Sequence, residues 1–305
     1  MRHSAIALAV LLATPAVAEV PRVLADTAPV HSLVALVMGD LGMPELIVPQ
    51  GTSPHDASLS PSEAQALTEA DLIVWTGDTF LPWMGETIAS LAPDTLQLAL
   101  LATEGWEPLE LREGVDLQYH EEDGHLHVAH HAVADDPHAW LDPDVAIAWL
   151  GHISSALAKA DPDNADIYGR NAAEASDLLA SLKFEMQDRL EPLTGTGYAV
   201  GHDAYQYLER AVGLPANWAV TDASGQDPAP RDAAALREAV LAGEVTCLLL
   251  DAETDPAWAE TVGEGAKLRT ASVDPDGVNL QPGSALYPTL LRNLADALET
   301  CLSPE

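Results

Sequence analysis

Two α/β lobes, each a parallel sheet flanked by helices, joined by one long rigid helix: this is the fold class the chain's pattern predicts. Three observations carry it. Short apolar runs alternate with helix-length segments from about Arg22 to Leu150, and the same alternation resumes from about Gly197 to the end. Between the two blocks lie about thirty residues of helical periodicity with no interior proline. Strands that alternate with helices imply parallel sheets covered on both faces. Two such sheets fit this length better than one.

In the first block the strands read Val23–Ala25, Leu46–Val48, Leu72–Trp75 and Leu96–Leu100. In the second they read Tyr198–Val200, Trp218–Val220, Thr246–Leu250 and Leu268–Val273. Helix starts are marked by Ser60-Pro61-Ser62-Glu63, a capping box with proline at the first helical position. Asp142-Pro143 repeats the cap-then-proline signal. The intervening segment, DPDNADIYGRNAAEASDLLASLKFEMQDRLEP, carries Ile167, Ala175, Leu178, Leu182, Met186 and Leu190 at helical spacing. A single helix there would span roughly 40 Å at 1.5 Å per residue, with Pro162 and Pro192 marking its limits.

The first eighteen residues have the form of a secretory signal: Arg2, an apolar stretch from Ile6 to Ala13, and Ala16-Val17-Ala18 as a small-residue cleavage site. Cleavage is expected after Ala18. No later stretch approaches eighteen unbroken apolar residues, so the mature protein is expected to be soluble and exported. The expected division is 1–18 signal peptide, 19–160 first lobe, 161–192 linker helix and 193–305 second lobe.

The chain holds 13 Lys+Arg against 48 Asp+Glu, a formal net charge of −35. Such a surface repels nucleic acid and anionic lipid and concentrates cations, although solubility alone also accounts for it. The two cysteines, Cys247 in EVTCLLL and Cys301 near the end, form no CxxC. In an oxidising compartment they can pair and tie the last helix to the second sheet; two buried free thiols are the alternative.

Residues 113–136, EGVDLQYHEEDGHLHVAHHAVADD, follow neither a strand nor a helix period. They hold His120, His125, His127, His130 and His131, and a His-rich tract of this kind reads as metal binding. The predicted primary site lies elsewhere. His55 in SPHDASLSPSE, His138 in DDPHAWLDPD and His202 in AVGHDAYQYLE each sit where an apolar run gives way to a helix. Strand ends are where α/β proteins bind ligands, so three imidazoles from three crossings can converge on one ion. Neutral imidazole suits zinc and other late divalent ions. Asp274 in SVDPDG is the best candidate for a fourth ligand, with Asp251 and Glu253 weaker and water as the substitute; Asp-Pro-Asp-Gly is also simply a turn. His31 and His152 read as structural, and Trp75, Trp83, Trp140 and Trp218 as core or cleft wall.

Taken together, SPHDASLSPSEAQALTEADLIVW, DDPHAWLDP, GHDAYQYLERAVGL, VTCLLLD and SVDPDG resemble the zinc branch of the metal-binding proteins of bacterial ABC importers, over nearly all of the mature chain. The resemblance implies a periplasmic, non-enzymatic protein that carries Zn2+ as its transported ligand to an inner-membrane permease driven by an ATPase. It implies a monomer with no nucleic-acid partner. The site it implies is His55, His138 and His202 in the cleft, with a carboxylate at Asp274 in manganese and iron relatives. Some members place a Glu just before the first histidine; Pro54 excludes an acid ligand there. The other readings are a manganese- or iron-binding homologue, a metal-dependent adhesin, and a zinc hydrolase. For the last, neither HExxH nor GxSxG is present.

Overall fold

The computed structural model describes residues 20–54, 57–112, 135–214, 218–221 and 228–303. His55 and the histidines from His120 to His131 lie outside the described residues, as does the segment assigned to the signal. Among the described residues no helix is long and apolar enough to cross a membrane.

The first lobe holds strands β1 (Val23–Ala25), β2 (Glu45–Leu46), β3 (Leu72–Trp75) and β4 (Leu96–Ala99), all parallel in the order β2-β1-β3-β4. Helices α1 (Ala28–Met38), α2 (Pro61–Glu69), α3 (Pro82–Leu91) and α4 (Pro143–Ala160) accompany them. The second lobe repeats the plan with β5 (Tyr198–His202), β6 (Trp218–Thr221), β7 (Cys247–Leu250) and β8 (Arg269–Ser272), parallel in the order β6-β5-β7-β8. Here the helices are α6 (Gln206–Val212), α7 (Pro230–Ala242), α8 (Ala257–Gly263) and α9 (Leu286–Leu302). Regular β2 ends at Leu46, before the expected Val48. Ile47 and Val48 nevertheless donate to the carbonyls of Ala25 and Asp26, so pairing continues.

Both cap predictions hold. The Ser60 hydroxyl accepts from the Glu63 N–H while the Glu63 carboxylate accepts from the Ser60 N–H. The Asp142 carboxylate accepts from the Asp144 N–H at the start of α4.

Linker helix α5 runs Ala165–Leu190 and buries Tyr168, Ala172, Ala175, Leu179, Leu182, Met186 and Leu190. The expected face included Leu178 and Ile167. Leu178 is instead exposed and Leu179 takes its place, because the buried stripe steps by three and four from Ala175 through Leu179 to Leu182. The linker also has company. One continuous core runs from β1 and α1 through α4 and α5 to α9 and the inner face of the second sheet. The start of α9 docks on the first lobe, where Tyr287 N–H donates to the Ser32 hydroxyl at 2.9 Å. The outer side of the second lobe, around Trp218, Leu236 and Val262, forms a separate small cluster.

Cys247 on β7 and Cys301 on α9 form a disulfide with their Cα atoms 5.7 Å apart. It fastens the last helix to the second sheet.

Candidate metal centre

His202 is the last residue of β5 and is fully buried. His138 follows no strand. It caps a 3-10 turn at Ala139–Leu141 that leads into α4, and in sequence it lies well beyond the end of β4. The expectation of three equivalent strand ends therefore holds for His202 alone among the described histidines. Even so, the structure brings His138 and His202 together from different lobes, with ring centroids 4.9 Å apart.

Each imidazole is backed by a carboxylate. The Asp136 Oδ1 atom lies 2.8 Å from His138 Nδ1 and also accepts the His138 backbone N–H at 2.9 Å. A carboxylate beside Nδ1 accepts the ring N–H there and so leaves the neutral ring's lone pair on Nε2. Across the cleft, Asp251 Oδ2 faces His202 Nδ1 at 3.6 Å. Burial pushes the Asp251 carboxyl up, but His202, Thr254 and Tyr205 more than offset it and hold the group below the usual carboxylate range. Carboxylate–histidine pairs of this form are the usual outer support of a metal site. The weaker ligand candidate Asp251 thus stands behind a ligand candidate.

Asp274 accepts the backbone N–H groups of Val278 and Asn279, one on each oxygen, which is the turn its sequence suggested. Two residues on, Asp276 is buried at 6 % exposure. Burial pushes its carboxyl up to about 7 against the pull of His202, with Asp274, Glu253 and Asp251 adding to the rise. This turn is bonded to the first lobe at two points. Trp140 Nε1 donates to the Pro275 carbonyl, and the Gly51 N–H, four residues before His55, donates to the Val278 carbonyl. Among the described residues no group of three His, Cys, Asp or Glu side chains is placed to hold a metal by itself.

Aromatic walls close the first-lobe side. Trp140 and Phe80 stand edge-on to His138 at 5.4 and 5.7 Å and to each other at 4.8 Å. His31 is buried and reaches the Pro44 carbonyl, and His152 reaches the Glu104 carbonyl, so both are structural as expected. Sequence reasoning missed Asp136, Phe80 and Asp276. Only Asp136 carried a signal, because a carboxylate two residues before a histidine can accept that residue's own N–H.

The model of the zinc-uptake complex component A family, a periplasmic component, matches residues 23–301. The high-affinity zinc uptake system protein ZnuA of Paracoccus denitrificans is 38% identical over the whole of both chains. Its namesake from Brucella suis is 31% identical over 90% of each. A crystal structure of ZnuA superposes with a TM-score of 0.78 at 22% identity, covering 93% of this chain and 99% of that one, a likeness of fold.

Proposed function

This chain belongs to the zinc-uptake complex component A family, and from that premise we propose that it binds zinc in the periplasm and delivers it to an ABC permease for high-affinity uptake. The observation that carries this reading is the meeting of His138 and His202 across the cleft, each with a carboxylate at Nδ1. His55, His138 and His202 supply three neutral nitrogens, and a carboxylate of the 274–276 turn or a water takes the fourth position. Zinc is cargo, and nothing is turned over. The periplasmic address is that of the family, and the Arg2 to Ala18 segment is the export signal that takes the chain there.

The donor set favours zinc over manganese, since imidazole suits the later ions and oxygen donors suit the earlier ones. The continuous core through α5 and α9 restricts hinge bending, so loading and release depend on small lobe shifts.

Calorimetric titration of metal-stripped protein tests this. One tight zinc event is expected, with His55→Ala, His138→Ala and His202→Ala each weakening it strongly and Asp274→Ala costing less. Wild-type affinity in any two of the three histidine variants overturns the site.

A further inference from the structure

Cations are scarce in this chain, so where one is buried its partners carry weight. Arg112 is buried to 14 % side-chain exposure and crosses from the first lobe to the second. Its Nε donates to Asp203 Oδ2 at 3.0 Å and one terminal nitrogen to Asp203 Oδ1, a two-pronged grip on the carboxylate next in sequence to His202. The other terminal nitrogen donates to Glu209 Oε2 at 2.6 Å, and Tyr198 Oη donates to Glu209 Oε1. Asp203 and Glu209 are at most 4 % exposed. Burial pushes the Glu209 carboxyl up, and the Arg112 charge is the largest influence opposing it.

The backbone around Arg112 is fastened to the start of α6, the helix that carries Glu209. Leu109 N–H donates to Tyr207 Oη, and Gln206 Nε2 donates both to the Glu110 carbonyl and to Asp136 Oδ2. Asp136 N–H donates to the Leu109 carbonyl, and Glu110 pairs with Asp135 in an antiparallel bridge. The segment 109–112 is therefore bonded on one side to Asp136, which holds His138, and on the other to Asp203 and the first turn of α6, which follow His202.

We propose that Arg112 is a positioning residue for zinc retention: it holds His202 opposite His138 by clamping Asp203 and Glu209 to the first lobe. A guanidinium has the planar fork this needs, and a lysine ammonium does not. Without the clamp, two buried carboxylates face each other uncompensated and the turn after His202 must open to solvate them. Bound zinc then leaves faster, because one ligand of the set is no longer held in place. The proposal rests on the zinc reading above.

Chelator-chase stopped flow on Arg112→Gln and Arg112→Lys, with zinc stoichiometry measured on the same samples, tests it. For Arg112→Gln we expect one zinc per chain, a dissociation rate at least tenfold faster, and an association rate within about threefold of wild type. Arg112→Lys, which keeps the charge and loses the fork, should fall between the two. A merely structural role lowers the melting temperature or the fraction loaded and leaves the dissociation rate of the loaded fraction at the wild-type value; that result overturns the clamp. If Arg112→Gln does not fold, a wild-type dissociation rate in Arg112→Lys overturns it equally. Absence of a tight zinc event in the wild-type protein is a separate outcome, which removes the zinc reading and the clamp with it.

Discussion

The two sheets share one plan and put different chemistry at the same place in it. Val23 pairs with Leu72 and Leu72 with Leu96; Tyr198 pairs with Cys247 and Cys247 with Arg269. Counting along the strands from those pairs sets Asp26 against Gly201, Thr27 against His202 and Thr76 against Asp251. In the first lobe the carboxylate is on the first strand's end: Asp26 accepts the N–H groups of Thr27 and Thr76 and closes the sheet's upper edge. In the second lobe it is on the neighbouring strand's end, where Asp251 faces His202. Gly201 makes the exchange possible. A Cβ there would meet the Thr254 hydroxyl at 1.9 Å, and that hydroxyl donates to Asp251. One lobe spends its carboxylate on backbone and the other sets it against a histidine, so in the first lobe the imidazole that meets His202 comes from a loop. His138 is that imidazole.

The hardest blow to the comparison is to exchange outcomes between equivalent positions. A structural zinc site is worth roughly 10–16 kcal/mol over four ligands, so loss of one imidazole should cost on the order of 3–4 kcal/mol, more than a hundredfold in affinity. His202→Ala should show that loss and Thr27→Ala should leave zinc affinity unchanged. Equal losses in calorimetry would mean that the two strand ends do not have separate roles.

Next comes the clasp that one lobe has and the other lacks. Cys247 corresponds to Leu72, and only the second sheet is tied to a helix by a disulfide. The two cysteines lie 54 positions apart, and closing a loop of that span gives about 4 kcal/mol in the chain-entropy model. Reduction should lower the midpoint of denaturant unfolding while leaving tight zinc binding in place, because neither sulfur is near a ligand role. Loss of zinc binding in the reduced, still folded protein would show that the clasp positions the site.

Smaller again is the effect of the supporting carboxylates. Outer-shell partners are worth about 10–100-fold in metal affinity. Asp136→Asn and Asp251→Asn should each fall in that range, with Asp136 the larger because its contact to Nδ1 is 2.8 Å against 3.6 Å for Asp251. Gly201→Ala should mimic Asp251→Asn by displacing Thr254. Zinc affinity unchanged in Gly201→Ala would remove the proposed reason for glycine at that position.

The strands were legible because period and composition are local: all eight lie within two residues of the expected limits at both ends, and β2 and β8 are shortened where pairing continues without regular geometry. The linker helix was legible for the same reason, and its buried face was misread by one position at Ile167 and at Leu178, where Tyr168 and Leu179 are buried instead. His138 and His202 were legible as histidines shortly before helix starts, one in a loop and the other closing β5. Their supports were not, because Asp251, Asp276 and Arg112 reach the site through pairings far apart in sequence. Arg112 finds Asp203 and Glu209 across more than ninety residues, and no spacing rule reports such a contact. The turn reading and the ligand reading of Asp274 look alike in sequence, and the backbone bonds from Val278 and Asn279 are what give the turn its weight.

The last and smallest test concerns Asp26, the first lobe's counterpart to the His202 end of the second. Burial pushes its carboxyl up to about 6, against the N–H groups of Thr76 and Thr27. A folded-state value above the unfolded one means that the native protein binds more protons between the two, so this group's contribution to stability grows as pH falls and is lost as pH rises through about 6. Between pH 7 and pH 5 the gain should be about 1 kcal/mol. Zinc affinity should move the other way over the same range, since each imidazole must be deprotonated to bind. Other carboxylates titrate too, so the measurement is the difference between wild type and Asp26→Asn in metal-free urea unfolding at pH 7 and pH 5. Wild type should gain about 1 kcal/mol relative to the variant on acidification, while the zinc titrations of the two proteins fall together. A parallel pH dependence of unfolding in both would mean that Asp26 is not held protonated by its burial. A difference in their zinc curves would mean that the first lobe's strand end takes part in binding after all.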